Sequence, residues 1–496
     1  MSDKNLTSKT LHGLVWSGGT LGVQFALNIA SVAILARILS PHDYGVMAAA
    51  NIVTSFGLML ASLGLMPALI QRAEVSRDHI ATALFLSIAM TALLGIAQWF
   101  AAPLIATLLQ VPELEDVARV LSFILVAQGL AAFYEALLAR ALKFKSLGVV
   151  RLGLWTATTF LIAIPLAYSG ASYWALVVAQ LALAFLTAIA YGYVARRDMT
   201  MPKFHMQAAK ELLGVGIGFS ITRFFTYVSG YADNIVVGRA LGAEELGVYT
   251  RVFYLISVPA QMFGDMSRTV VFPTMAKIQD DSARLKQAYL KGLALSALTT
   301  VPTSAFLASF APELVNLVLG DLWTAAITPF AIFSLAIYFR VGTKTCSTVL
   351  LAKGRGYSLA SLQAVNALLI TSAALLAAPY GLNAVCATVL LAVITSFCVY
   401  ATICGRAAGI GLLDFADLHM RPVLIGAFVF STASAINMVL GDSPSYTRMG
   451  IAAVAAGLPL LSILYFRASL ILGRHGLEAI ASVAGPHAEK LGWKMH

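Results

Sequence analysis

The residues of this chain with most chemistry to offer are a few charges set inside long apolar runs. Arg223 and Arg340 each stand about 12 residues from the inner end of a run, roughly 18 Å deep at 1.5 Å of rise per residue. Lys344 follows Arg340 by one helical turn, on the same face. Arg251, Arg268, Asp233, Asp265 and Glu135 lie nearer the ends of their runs. A charge inside a bilayer is expensive and tends to face a cavity or a partner. Guanidinium groups hold phosphate through paired, charge-assisted hydrogen bonds. The excess of Arg and Lys over Asp and Glu therefore predicts a central cationic cavity that accepts a phosphorylated substrate. Arg223, Arg340, Lys344, Arg268 and Arg251 are its candidate ligands. Asp233, Glu135 and Asp265 are candidates for coupling or for contact between halves of the molecule. Plainer readings stand beside these. Arg251, Arg268 and Lys344 can snorkel to the headgroups, Asp265 and Arg268 can form a local pair, and Asp233 can act as a cap. Arg223 and Arg340 lie too deep to snorkel easily.

Other chemistry has little to work with. The eight histidines are expected in loops, tails or helix ends, away from any reaction chamber. No Gly-x-x-x-x-Gly-Lys-Ser/Thr pattern occurs, so ATP hydrolysis by that route is excluded. Gly214, Gly216 and Gly218 open an apolar run, follow no strand, and read as helix packing through small residues. The four cysteines, Cys346, Cys386, Cys398 and Cys404, have no Cys-x-x-Cys spacing, which leaves no zinc or disulfide framework. Neither a cofactor nor a metal is expected. Polar Gln24, Asn28, Asn51, Gln98 and Gln128 are expected chiefly in interhelical hydrogen bonds.

The elements that position these charges follow from composition. Of 496 residues, 59% are hydrophobic and 11% charged. Soluble domains carry roughly 25% charge, so the solvent here is lipid. The expected fold class is an all-α polytopic membrane protein. Fourteen apolar runs, 11–36, 44–70, 80–109, 117–140, 150–168, 173–194, 211–238, 246–272, 288–310, 323–351, 357–378, 382–405, 422–440 and 447–470, are long enough to span a bilayer, which takes about 20 residues, and 313–322 can extend the ninth. The net charge of +10 is scattered rather than clustered, which argues against nucleic acid. With the N-terminus inside, the outer loops hold only Arg37, Arg239 and Arg448, a positive-inside bias. Both termini are then cytoplasmic.

The chain also repeats. Ile34-Leu35-Ala36-Arg37-Ile38-Leu39 with Tyr44-Gly45-Val46 returns as Val236-Val237-Gly238-Arg239-Ala240-Leu241 with Leu246-Gly247-Val248, 202 residues later. Phe100-Ala101-Ala102-Pro103 matches Phe310-Ala311-Pro312, and Leu142-Lys143-Phe144-Lys145 matches Ala352-Lys353-Gly354-Arg355. Ordered matches of this kind predict two parallel six-helix lobes, 1–198 and 211–405, about a central cavity. A basic cytoplasmic linker, 199–210, joins them. Two further helices occupy 406–470 and a cytoplasmic tail 471–496.

Ala33-Ile34-Leu35-Ala36-Arg37-Ile38-Leu39-Ser40-Pro41-x-x-Tyr44-Gly45-Val46 resembles the first-loop signature of the polysaccharide transporter branch of the MOP flippase superfamily. Ala232-Asp233-Asn234-Ile235-Val236-Val237-Gly238-Arg239 resembles its second-lobe counterpart. Arg140-Ala141-Leu142-Lys143-Phe144-Lys145 resembles the basic loop of the subgroup related to colanic acid and succinoglycan exporters. The resemblance covers roughly residues 5 to 470. It implies export of an undecaprenyl-pyrophosphate-linked oligosaccharide across the bacterial inner membrane. Implied partners are that lipid-linked substrate, membrane lipids, and the polymerase and co-polymerase of the same pathway. A MATE-like ion-coupled exporter of small molecules is the alternative, and it calls for a net acidic cavity. A membrane enzyme of the same pathway is a third, and it calls for a catalytic His or a large loop.

Overall fold

A computed structural model of the chain describes residues 24 and 26–460, apart from 63, 73, 197–200, 267–274, 276, 277, 279, 280, 441–443 and 445. The side chains of 71, 215–223, 258–260, 262–266, 282, 356, 357, 408, 412–414 and 417 also lie outside the description. Every regular element among the described residues is helical. In chain order these are α1 (Ala26–Ala36), α2 (Pro41–Ser62), α3 (Leu65–Gln71), α4 (Arg77–Leu109), α5 (Leu114–Arg140), α6 (Phe144–Tyr168) and α7 (Trp174–Ala195). Then follow α8 (Met206–Met266), α9 (Ser282–Ser309), α10 (Ala311–Val318), α11 (Ile327–Ser334), α12 (Ile337–Ala352), α13 (Gly356–Ala377), α14 (Leu382–Ala408), α15 (Leu412–Val439) and α16 (446–460). Nine single helices among the described residues are long and apolar enough to cross a bilayer. Asp321–Ser334 with α12, bent by 43°, would make a tenth. The chain is therefore a multi-pass membrane protein. Fourteen crossings remain the expectation from the sequence. Runs 11–36, 246–272 and 447–470 lie partly outside the described residues, and the tail 471–496 wholly so.

Local chemistry sets several helix ends. Ser76 caps α4 by accepting the His79 backbone N–H, and the His79 ring answers the Ser76 backbone, so two orphan donors are satisfied. Asp281 caps α9 through the Arg284 N–H at 3.1 Å. The first turn of α5 holds Glu115 and Asp116 and its last turn Arg140, matching the helix dipole. Segment 313–322, expected as an extension of the ninth run, is instead broken off. The helix stops at Ser309 and α10 restarts at Ala311, with Pro312 in its first turn. Pro103, its counterpart in the sequence repeat, stays inside a continuous α4.

The backbone repeats more exactly than the side chains do. Left-handed turns recur at Gln110 and Gly320, at Leu142 and Gly354, and at Gly170 and Gly381. The hydrogen bonds Ala141 N–H to Leu137 O, Leu142 N–H to Ala139 O and Lys143 N–H to Leu138 O return as Lys353 to Val349, Gly354 to Leu351 and Arg355 to Leu350. That register is 212 residues, so Lys143 corresponds to Arg355, not to Lys353 as the charge pattern suggested. The spacing is 210 at Gln110 and 211 at Gly170. Both changes have a local cause. The two extra residues of the second half fall where Leu335 and Ala336 part α11 from α12. The one extra residue of the first half falls where α6 widens into a π turn, Thr159–Ala163, ahead of Pro165.

Two compact units divide the chain. The first runs to Tyr227 and takes in Gly242–Gly247 and Asn316–Trp323. The second comprises Val228–Leu241, Val248–Val315 and the chain from Thr324. In the first, α5 packs against α2, α4 and α7. Lipid offers little hydrophobic drive for this, so packing and polar contacts hold the helices. Gln98 Nε2 donates to Ala118 O at 2.9 Å and Gln180 Nε2 to Asn51 Oδ1 at 3.0 Å, the interhelical role expected of Gln98 and Asn51. The linker is stitched to α4, with Lys203 N–H on Ala81 O at 3.3 Å and His205 N–H on Thr82 Oγ1 at 3.1 Å. Glu211 pairs with Arg72 and, at 3.1 Å, with His79. In the second unit, Tyr289, Leu293, Tyr338, Val349, Phe397 and Leu418 form one core. Arg448 of α16 reaches buried Glu313 of α10 at 3.1 Å.

Within the first unit two backbones touch. A Cβ on Gly45 would lie 3.1 Å from the Ala243 Cα and closer still to its carbonyl oxygen. A Cβ on Gly247 would lie 2.8 Å from the Gly45 nitrogen and closer still to the Pro41 oxygen. Gly247 and Ala243 stand 202 residues after Gly45 and Pro41. The repeat thus places a glycine on each side of one crossing. Trp323 Nε1 donates to Ala36 O at 2.8 Å beside it, and an Arg37 N–H donates to Leu317 O at 2.9 Å.

Candidate functional site

Asp233 and Tyr249 come together because α8 is not one rod. Gly242 sits at φ 88° and ψ −179°, outside helical space and open to glycine. Sixteen residues separate Asp233 from Tyr249, roughly 24 Å on a straight helix. The Tyr249 hydroxyl nevertheless donates to Asp233 Oδ2 at 2.7 Å, so the chain folds back at Gly242. The run expected at 211–238 and the described part of that at 246–272, as far as Met266, are the two arms of this hairpin, joined by a one-residue break rather than a loop. Asp233 is buried, and its second oxygen accepts the Asn234 N–H at 2.9 Å.

An aromatic group continues from Tyr249. Its ring stacks with Phe253 at 6.2 Å, and Phe333 meets it edge-on at 5.4 Å. The Arg340 guanidinium lies 4.2 Å above the Phe253 ring, close enough for cation–π attraction. Asp233 and Tyr249 are its electrostatic neighbours. No acid of its own helix answers Arg340, as expected; the acid comes from α8. Asp233 does not reach the guanidinium, whose N–H groups make no hydrogen bond to another described residue. Phe253 holds the guanidinium fork by its face, and the donors make no hydrogen bond among the described residues. An anion with two adjacent oxygens fits that fork.

Of the other expected residues, Lys344, Arg251 and Glu135 have described side chains. Lys344 is half-buried one turn along α12 from Arg340. Arg251 is half-buried, with its guanidinium 5.8 Å from the Tyr254 ring of the same helix. The Arg223 and Asp265 side chains and all of Arg268 lie outside the described residues. Glu135 is exposed on α5 and is not part of the Asp233 group.

Three residues escaped sequence reasoning. Arg151 was expected at the start of a run beginning at 150, but α6 begins at Phe144 and carries Arg151 two turns inside. His419 was expected outside the spans, before a run at 422. It lies within α15 instead, hydrogen-bonded to the Tyr338 hydroxyl, with Nδ1 2.6 Å from Phe415 O. The acids and arginine from Asp414 to Arg421 hid that stretch from a hydropathy reading. Asp43 is buried and takes the Ser40 N–H at 2.8 Å and the Tyr173 N–H at 3.0 Å.

A family model described as polysaccharide biosynthesis protein matches residues 34–328. The succinoglycan biosynthesis transport protein ExoT of Rhizobium meliloti (strain 1021) is 25% identical over 489 residues, 97% of this chain and 96% of ExoT. The lipopolysaccharide biosynthesis protein WzxC of Escherichia coli (strain K12) is 24% identical over 357 residues, 71% of each chain. Among solved structures, the lipid II flippase MurJ in an inward closed conformation superposes with a TM-score of 0.67 at 13% identity. The match covers 90% of this chain and 100% of MurJ, and speaks for the fold alone.

Proposed function

The chain belongs to the polysaccharide biosynthesis protein family, and on that premise we propose that it is a flippase for an undecaprenyl-pyrophosphate-linked oligosaccharide. It moves the glycan and its diphosphate across the bacterial inner membrane for exopolysaccharide or lipopolysaccharide synthesis, with both termini in the cytoplasm. The observation that carries this reading is the Arg340 guanidinium, planted on Phe253 with its hydrogen-bond donors unused among the described residues. A bare diphosphate in hydrocarbon faces an idealised desolvation cost of order 20 kcal/mol per charge. A fixed guanidinium replaces part of that lost hydration through charge-assisted bonds. The relatives' printed names, succinoglycan transport and lipopolysaccharide biosynthesis, support the cargo class. The protein acts as a transporter, without catalysis, by alternating access of a cationic cavity between two six-helix lobes, 1–198 and 211–405. Lys344, Arg251, Arg223 and Arg268 line that cavity with Arg340, while Asp233, Glu135 and Asp265 serve coupling or lobe contact. A polymerase and co-polymerase receive the product. An exporter of organic cations would need acid where Arg340 and Lys344 stand.

The test is a deletion strain scored for surface polysaccharide and for accumulated lipid-linked intermediate. Loss of the first with a rise in the second is expected, with rescue by wild type and not by Arg340→Ala at equal membrane levels. Normal polysaccharide in the deletion, in a strain without a second copy of the gene, would overturn the reading.

A further inference from the structure

The first unit carries a second pair of intramembrane charges that the Arg340 group does not use. Arg151 lies seven residues beyond Phe144, about 10 Å along α6 by the rise per residue. Glu135 lies five residues before the end of α5, about 7.5 Å deep by the same measure. Both side chains are exposed, yet neither makes a hydrogen bond or ion pair with another described residue. They lie at comparable depth on the two arms of the α5–α6 hairpin, and the Tyr191 hydroxyl is within electrostatic reach of both. Tyr191 in turn holds α6 by donating to Leu147 O at 3.2 Å.

The face of α6 around Arg151 has a definite chemistry. Phe144, Gly148, Arg151 and Trp155 recur at helical spacing and form one stripe. Phe144 is 60% exposed, and nothing lies within 4 Å of a Cβ on Gly148, so the stripe is open at the level of its backbone. Trp155 is half-buried, and its indole N–H has no hydrogen-bond partner among the described residues. The fold does not require these residues. At the 212-residue register the stripe reads Gly356, Ala360, Gln363 and Ala367, and Glu135 becomes Ser347. The same hairpin is built there with no charge at these positions.

We propose that Glu135, Arg151 and Trp155 form a second binding site on the first unit, which takes the glycosyl-diphosphate end of the lipid-linked cargo. The guanidinium holds the diphosphate, the indole face stacks on the first sugar ring, and the carboxylate accepts sugar hydroxyls. Gly148 leaves room for the ligand against the helix backbone. This deepens the flippase reading and rests on it for the identity of the ligand. The site loads or releases cargo at the α5–α6 turn.

Binding is measured on purified full-length protein with two probes, inorganic pyrophosphate and a short-chain prenyl-diphosphate-linked glucose. Arg340→Gln protein should lose one of two binding phases for each probe and keep the other. Adding Arg151→Gln should weaken both about 10-fold or more, the loss of one charge-assisted bond. Arg151→Lys should recover part of it. Trp155→Leu should weaken the sugar-bearing probe alone. In an otherwise wild-type chain, Arg151→Gln should remove one of two binding phases, which covers the case of an Arg340 variant that fails to fold. Unchanged binding after Arg151→Gln, or no pyrophosphate binding once Arg340 is gone from a folded protein, would overturn the second site. Either result leaves the flippase reading to the deletion strain, whose failure is seen separately as normal polysaccharide.

Discussion

Replacing Gly45 by alanine strikes the point where α2 and the second arm of α8 touch through their backbones. The added Cβ would stand 3.1 Å from the Ala243 Cα and nearer to its carbonyl oxygen. Carbon atoms rest at about 3.5–4.0 Å, so the two backbones must part by roughly 1 Å at the least. No rotamer can relieve this, because the obstacle is main chain. Overpacking of this kind costs about 1–3 kcal/mol. Gly247→Ala meets the same wall from the other side, 2.8 Å from the Gly45 nitrogen. One separation of the two segments relieves both clashes. The double variant should therefore lose about as much as either single one, a coupling of roughly 1–3 kcal/mol against additivity. The assay is the thermal unfolding midpoint of purified protein in one detergent at one heating rate, since such unfolding is rate-dependent. Gly153→Ala is the control, with no atom within 4 Å of its Cβ, and should be neutral or gain about 0.5–1 kcal/mol from helix propensity. A Gly45→Ala protein as stable as the control, or a double variant equal to the sum of its parts, would refute the backbone crossing.

Asp43→Ala should lower stability by about 3 kcal/mol, because the Ser40 and Tyr173 N–H groups lose a buried acceptor. Asp43→Asn should lose about half as much, since one amide oxygen can serve only one of the two donors; chemical unfolding of the detergent-solubilised protein checks both. Trp323→Phe keeps the ring contact with Tyr44, 5.4 Å between centroids, and removes the bond to Ala36 O, so a loss of about 1 kcal/mol in the same assay is expected.

Span positions were legible because about 20 apolar residues leave few other solutions in lipid. Helix starts were less so. Phe144-Lys145-Ser146-Leu147-Gly148 reads as polar loop, yet it forms the first turns of α6, so Arg151 was placed too shallow. The repeat was legible, but its third match slipped by two residues. Matching Lys143 to Lys353 follows charge, whereas the register is set by which residue takes a positive φ, Leu142 or Gly354, and hydropathy carries no trace of φ. Of the candidate site, Asp233 and Arg340 were visible singly as misplaced charges. Their neighbourhood was not, because it depends on the fold-back at Gly242 and on α12 meeting α8 through Phe253.

What repeats and what does not separates the work of holding the fold from the work of transport. The left-handed turns at Leu142 and Gly354, and the glycines of the crossing, occur in both halves, since both halves need the same bends and the same approach. The intramembrane charges occur in one half each. Arg340 stands where the first half has Gln128, Lys344 where it has Ala132, and Asp233 where it has Ser31. Arg151 and Glu135 stand where the second half has Gln363 and Ser347. Each partner position is neutral, so the hairpins tolerate the absence of charge, and a charge at membrane depth persists against a standing cost. Packing accounts for the shared features and leaves these five residues over. On the proposed function, a diphosphate-bearing ligand accounts for the arginines on both halves, held in turn by two sites that the repeat never duplicated.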